Sequence, residues 1–231
     1  MIKAVFLDLF NTLVRHDPSS EDQQWLACQE CGIEVNKEDL RRGFWAAGDF
    51  FSLEDALFPI EKRSEEGKYA LWIEYESILL CEAGVEVSQE TVTRIWDKVC
   101  RIKPKVALFE DTLSTLALLR SQGLIVGIIS NLHTSVDEFC SGVNLASRLD
   151  FALTSHEVGF AKPHPGIFNA ALERANTQAS EAIHVGDQYY ADIIGARGAG
   201  IKPLLLDRDG ILDHYDDCQH ISGLREIIDH L

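Results

Sequence analysis

Long apolar runs are missing from this chain. No stretch of its 231 residues approaches the ~20 consecutive apolar residues of a membrane-spanning helix. A leader pattern is missing too, since a strand-like run begins at residue 3 without a basic flank and an apolar core ahead of it. Basic residues are scarce, 21 against 37 acidic ones, for a formal net charge of -16. A chain this acidic lacks the Lys/Arg patches that grip a phosphate backbone, which argues against nucleic acid as a partner. The expectation is a cytoplasmic protein with no membrane or nucleic-acid partner. The same charge repels an anionic substrate unless a bound cation or local amides reverse the field at the site. Internal repeats and low-complexity linkers are absent as well.

Six cysteines occur, and Cys28-Gln-Glu-Cys31 has the spacing of a zinc or redox pair. Zinc needs a second pair of ligands, and the sequence has none at matching spacing. The pair also falls within a helix expected over Ser20–Cys31, not after a strand. Ordinary helix residues with reduced thiols are the simpler reading.

The hydrophobic content, 46%, is enough for one α/β core with an insertion. Residues 3–9 read as a buried strand, Ala4-Val5-Phe6-Leu7-Asp8-Leu9, which delivers a carboxylate and turns through Asn11-Thr12. Residues 15–105 then change character and hold all four tryptophans. Helices are expected from Ser20, from Asn36 through Trp45, over Lys68–Glu82 and after Ser88. Phe50–Pro59 reads as irregular, with Pro59 as a breaker. After Pro104 strands and helices alternate. Helices are expected over Asp111–Ser121, Ser135–Cys140, Gly166–Ala175, Asp192–Ala199 and Leu224–Leu231. Strands are expected over Leu124–Ser130, Phe151–Ser155, Ala182–Val185 and Lys202–Leu206. The fold class is therefore α/β, a Rossmann-like three-layer core with a parallel sheet, built from residues 1–14 and 106–231, plus an inserted, mostly helical cap over 15–105.

Parallel strands place their C-terminal ends on one edge, where open α/β sheets bind ligands. Four such ends carry chemistry: Asp8; Ser130, followed by Asn131; Lys162, in the loop after a strand; and Asp187 with Asp192. Together they form a coherent set. Asp8 is a candidate nucleophile. Ser130 can donate to a transferred group, and Lys162 can neutralise charge on the nucleophile and on the group under attack. Asp8 and Asp187, supported by Asp192, can hold a hard cation through oxygen ligands, and Mg2+ suits such a site. Thr12 can bond the Asp8 loop, and Asn11 tolerates the backbone of a tight turn.

These residues resemble the motifs of the haloacid dehalogenase-like hydrolase superfamily. The matches are Asp8-Leu9-Phe10-Asn11-Thr12, Ser130-Asn131, Lys162-Pro163 and Gly186-Asp187-Gln188-Tyr189-Tyr190-Ala191-Asp192. His184-Val185-Gly186-Asp187 and the aromatic-rich insertion resemble one group within it, that of its domain-containing-3 member. The resemblance implies a helical cap between the first two motifs. It makes Asp8, Thr12, Ser130, Asn131 and Lys162 catalytic, and gives Asn11, Ser130, Asn131 and Lys162 contacts to substrate. It assigns the metal to Asp8, the backbone carbonyl of Phe10, Asp187 and Asp192. A small phosphorylated substrate is expected.

Phe10 departs from the pattern. Phosphatases of the superfamily usually carry Asp there, to protonate the leaving oxygen and then activate water, and phenylalanine does neither. Dehalogenases of the superfamily tolerate an aromatic at that position, because halide leaves without a proton, but they lack the acid matched by Asp187 and use no magnesium. Three readings follow: a magnesium-dependent phosphatase, a 2-haloacid dehalogenase, and a non-catalytic binder of a phosphorylated ligand or a protein. Secondary candidates are His133 as a stand-in acid and Arg41 with Arg42 as a carboxylate site or a solvated helix face. His164 reads as ordering its loop, His184 as strand core, and Trp45, Trp72 and Trp96 as core of the insertion.

Overall fold

The computed structural model describes residues 1–132, 134–136, 143 and 145–231. Among them the chain forms two compact units, Met1–Arg15 with Val106–Leu231, and His16–Lys105.

The first unit is a six-stranded sheet with β1 (Ala4–Leu7) near its centre. On one side lie β4 (Ile125–Ser130) and β5 (Phe151–Thr154). On the other lie β6 (Ala182–Gly186), β7 (Lys202–Leu206) and the two-residue β8 (His220–Ile221). Every pairing is parallel. β1 is buried at all four positions, which its unbroken apolar run requires. Its side chains alternate between two cores: Val5 and Leu7 pack with Leu116, Val126 and Ile183, while Ala4 and Phe6 pack with Phe151 and Phe168. The chain runs outward from β1 to β4 and β5 and then returns to β6 on the other side of β1, so the strand order switches at β1, the position at whose C-terminal edge open α/β sheets bind ligands. Helix α5 (Thr112–Ser121) contributes Leu116 and Leu119 to the first core.

The second unit is helical: α1 (Ser20–Glu30), α2 (Lys37–Leu57), α3 (Glu65–Glu82) and α4 (Gln89–Val99). Each begins at a side-chain cap, from Ser19, Asn36, Ser64 and Ser88, whose oxygens accept from backbone N–H groups in the first turn. The expectation of irregular chain over Phe50–Pro59 is corrected, since α2 continues to Leu57. Packing against α3 carries it on. Gly43 lets the two helices close, because a Cβ there would overlap the Leu79 carbonyl, and the Phe51 ring stacks on Trp72 with centroids 4.9 Å apart. Trp72 in turn stacks on Trp96. Trp45, Trp72 and Trp96 are only half-buried, so they flank the core of this unit and do not fill it. Arg42 is exposed and pairs with Asp39, whereas the half-buried Arg41 lies 3.7 Å from Glu21 with its Nε shielded from solvent. Cys28 and Cys31 are free, and burial pushes the Cys28 thiol up to about 12, which keeps it inert.

Three short strands escaped the sequence pattern: β8, at the sheet edge, and β2 (Val14–Asp17) and β3 (Lys105–Leu108), which form a two-stranded sheet. The expected helix at 192–199 starts earlier, as a wide π-turn over Tyr189–Ile194 that continues into Gly195–Gly198. The last helix, Leu224–His230, is of the tighter 3-10 type. Residues 137–140 of the helix expected over Ser135–Cys140, and His133, lie outside the described residues. Among the described residues no helix is long and apolar enough to cross a membrane.

Candidate active site

Asp8 follows β1 directly, and its N–H donates to the Val185 carbonyl at 2.8 Å, which carries the sheet register one step past the strand. The chain then turns tightly. Asn11 takes a left-handed φ of 61°, and the Leu13 and Val14 N–H groups both return to the Leu9 carbonyl. Asn is among the few residues that accept this backbone, as the sequence suggested. The Asn11 side chain is exposed. The half-buried Phe10 packs against the core cluster containing Leu9 and Leu13.

Lys162 reaches the same edge from the loop after β5. Its ammonium donates to Asp8 Oδ1 at 2.5 Å and to Asp192 Oδ1 at 2.6 Å. Asn131, just past β4, holds the lysine backbone from both sides: its Nδ2 donates to the Lys162 carbonyl at 2.9 Å, and its Oδ1 accepts from the Lys162 N–H at 2.7 Å. Its carbonyl and one N–H are thus committed to positioning Lys162. Ser130 is buried at the last position of β4, in register with Thr154. His164 orders the loop as expected, since its Nδ1 accepts from the Gly166 N–H at the start of the helix Pro165–Arg174.

Asp187 lies one residue past β6 and accepts from the Thr12 hydroxyl at 3.3 Å. Asp192 is carried back to the edge by the π-turn. Gly186 makes room for it, because a Cβ there would overlap the Asp192 carboxylate. One Asp192 oxygen accepts from Lys162 and from His184 Nε2, at 2.8 Å; the other accepts from the Gln188 N–H at 3.1 Å. Oxygens of Asp8, Asp187 and Asp192 all lie within 4.8 Å of one another, and all three residues are buried.

The charges explain the titration of the group. Burial pushes Asp8 up to about 6; Lys162 pulls it down and Asp192 pushes it up again. Burial raises Asp187 well above its ordinary value, with Asp8 and Asp192 adding to the effect. Asp192 goes the other way: Lys162 and His184 outweigh its burial and hold it below the usual range. The two carboxylates keep the Lys162 ammonium charged despite its burial. Burial lowers His184, which favours its neutral ring. Once all three are ionised, three carboxylates facing one ammonium leave two negative charges, which a divalent cation would balance. Hard carboxylate oxygens in a buried cluster form a donor set that fits magnesium.

Two contributors were not singled out from sequence. His184 reads as core and is fully buried, yet it also bonds Asp192. Arg208, two residues past β7 at the same edge, donates to the Thr12 carbonyl at 2.9 Å and holds Asp111 with both terminal nitrogens at 3.0 and 3.1 Å. Its guanidinium lies over the Phe109 ring, 4.1 Å from the centroid. The signals were a polar residue inside a buried strand and a charge just past a strand end.

A family model described as a haloacid dehalogenase-like hydrolase matches residues 2–200. A protein of Xenopus laevis named haloacid dehalogenase-like hydrolase domain-containing protein 3 is 38% identical over 211 residues, 89% of this chain and 84% of that one. The mouse protein of that name aligns over only 42% of its length. The ribulose-1,5-bisphosphate 5-phosphatase of Halopiger xanaduensis is 28% identical over 90% of this chain and 85% of its own. Among solved structures, a 2-haloacid dehalogenase from Pseudomonas syringae is 28% identical and superposes with a TM-score of 0.56, covering 99% of this chain and 97% of that one. The family match spans all four strand-end motifs, and the chain belongs to the haloacid dehalogenase-like hydrolases, as an enzyme that groups with their domain-containing-3 proteins.

Proposed function

We propose that this chain is a magnesium-dependent phosphate-monoester hydrolase acting on a small phosphorylated metabolite, with Asp8 as nucleophile. The observation that carries this reading is the Asp8–Lys162 contact with the Asp187 carboxylate beside it. A metal-free displacement has no use for that third group, whereas a cation site does. The phosphatase name of the Halopiger xanaduensis relative supports the same class.

In this reading Asp8, Asp187 and the Phe10 carbonyl would hold the ion, with Asp192, its two oxygens committed to Lys162, His184 and the Gln188 N–H, in support. When bound, magnesium neutralises phosphoryl oxygens and offsets the acidic field of the chain. The Asp8 carboxylate attacks phosphorus, and the bond to the leaving oxygen breaks as the new one forms. Lys162 offsets charge on Asp8 and on the phosphoryl group. Ser130 donates its hydroxyl to that group. Water then attacks the acyl phosphate and frees Asp8 and phosphate. Phe10 offers no proton to the leaving oxygen and no base to the water, so substrates whose leaving group departs without a proton are preferred. Residues 15–105 act as the cap that sets substrate choice. A cytoplasmic setting is part of this reading and suits the free thiols of Cys28, Cys31, Cys81, Cys100 and Cys218.

A second reading, hydrolysis of a carbon–halogen bond through an ester at Asp8, is favoured by Phe10 and by the dehalogenase that this chain resembles. One assay separates the two: incubation with an aryl phosphate and with 2-chloropropionate, in magnesium and in EDTA. Phosphate release that needs magnesium is expected. Halide release in EDTA would overturn the first reading in favour of the second.

A further inference from the structure

β6 is sealed from solvent, with every residue from Ala182 to Gly186 buried. Strands in such surroundings are built from apolar side chains, and Ile183 and Val185 comply. His184 does not. Its ring is fully buried, with the edge against Phe168 at a centroid distance of 5.1 Å. Its Nδ1 is buried beside the Phe6 backbone without a well-formed hydrogen bond. A leucine would fill much the same space and leave no polar atom unmatched, so packing alone does not account for a histidine here. What the ring adds is one N–H, aimed at Asp192 Oδ1 from 2.8 Å.

That oxygen is the one that also receives the Lys162 ammonium. Lysine carries its charge on a flexible four-carbon stem and needs a fixed partner to hold one position. Asp192 is that partner, held on one oxygen by His184 and on the other by the Gln188 N–H. We propose that His184 is a positioning residue of the hydrolase: it donates Nε2–H to Asp192 and so fixes the carboxylate that keeps the Lys162 ammonium against Asp8. The inference rests on the roles given to Asp8 and Lys162 above. His184 itself touches neither substrate nor the reacting atoms.

Three substitutions test it. The amide of His184→Gln can present an N–H close to where Nε2 lies, that of His184→Asn falls near Nδ1, short of Asp192, and His184→Leu has none. Two readouts are needed. The first is kcat and KM on an aryl phosphate with magnesium. The second, independent of turnover, is the rate at which a small acylating reagent labels Lys162, followed by mass spectrometry. Leu and Asn are expected to lower kcat by about tenfold to a hundredfold with KM little changed, and to speed labelling several-fold, while Gln stays close to the wild type in both. Asn and Gln behaving alike, or labelling of Lys162 unchanged in all three, would overturn the inference. Should His184→Leu fail to fold, the Asn–Gln pair still decides it, because both bury one amide and differ only in reach. A wild type without phosphatase activity would count against the proposed reaction alone, since the labelling pattern reports on His184 whichever reaction is run.

Discussion

The Lys162 ammonium sits 2.5 Å from Asp8 Oδ1, with the two side chains only 3% and 10% exposed. Water screens such a pair poorly, so its loss is felt in full. Lys162→Met is expected to lower kcat/KM at least about a hundredfold, the scale of removing one charge-stabilising donor. Lys162→Arg should rescue little, because a planar fork does not reproduce a point charge shared between Asp8 and Asp192. Steady-state kinetics on an aryl phosphate decide this. Near-normal turnover in Lys162→Met would remove the lysine from the mechanism.

Arg208 ties the Asp8 loop to the start of α5. It bridges the Thr12 carbonyl and Asp111, whose Oδ2 also accepts from the Leu224 N–H at 2.9 Å. Arg208→Met should destabilise the protein by about 1.5–3 kcal/mol, the scale of hydrogen bonds to a charged group. It should also slow turnover, because Thr12 loses the anchor that steadies its hydroxyl on Asp187. Arg208→Lys should recover part of the stability. Urea unfolding beside kinetics checks both, and a variant as stable and active as wild type would show the clamp to be idle.

Glu76 gives the helical unit a pH dependence of its own. It is 1% exposed in α3, Gln24 Nε2 donates to it, and burial pushes its carboxyl up to about 7 from an ordinary 4.5. The folded state therefore favours the protonated form. That contribution is whole below the unfolded value, falls away as pH rises from 4.5 toward 7, and is gone above. At roughly 1.4 kcal/mol per unit, the span is on the order of 3 kcal/mol. Glu76→Gln should remove this slope, leaving the variant more stable than wild type at pH 8 and close to it at pH 4.5. Urea midpoints of both proteins at the two pH values measure it. Parallel pH profiles would show that Glu76 does not titrate in this window.

Much of the convergence at the sheet edge is legible in the sequence, for a reason that lies in the sheet. Parallel strands end on one edge, so a carboxylate after Ala4–Leu7, a hydroxyl closing Ile125–Ser130 and an acid after Ala182–Gly186 had to converge. The lysine followed from its motif. What sequence hid depends on contacts between distant residues. The length of α2 past Phe50 is set by packing on α3, not by local signals, and Pro59 drew the reading short. The β2–β3 pair and β8 are too short to carry a period. That Asn131 holds the Lys162 backbone is a contact between residues 31 apart, which no local signal announces. His184 and Arg208 belong to no reactive spacing and declare themselves only through their partners.

Phe10 sharpens the central claim into a kinetic one. Formation of the acyl phosphate on Asp8 needs a nucleophile, a cation and a leaving group; its hydrolysis calls for a base that Phe10 does not supply. With an aryl phosphate, whose leaving group departs without a proton, the second step should limit turnover. Rapid-quench mass spectrometry in magnesium, on the peptide containing Asp8, measures this directly. The account predicts a burst of aryl alcohol with stoichiometric phosphate on Asp8, absent in Asp8→Asn and in EDTA. Sustained turnover by Asp8→Asn, or a burst with phosphate on another residue, would contradict it.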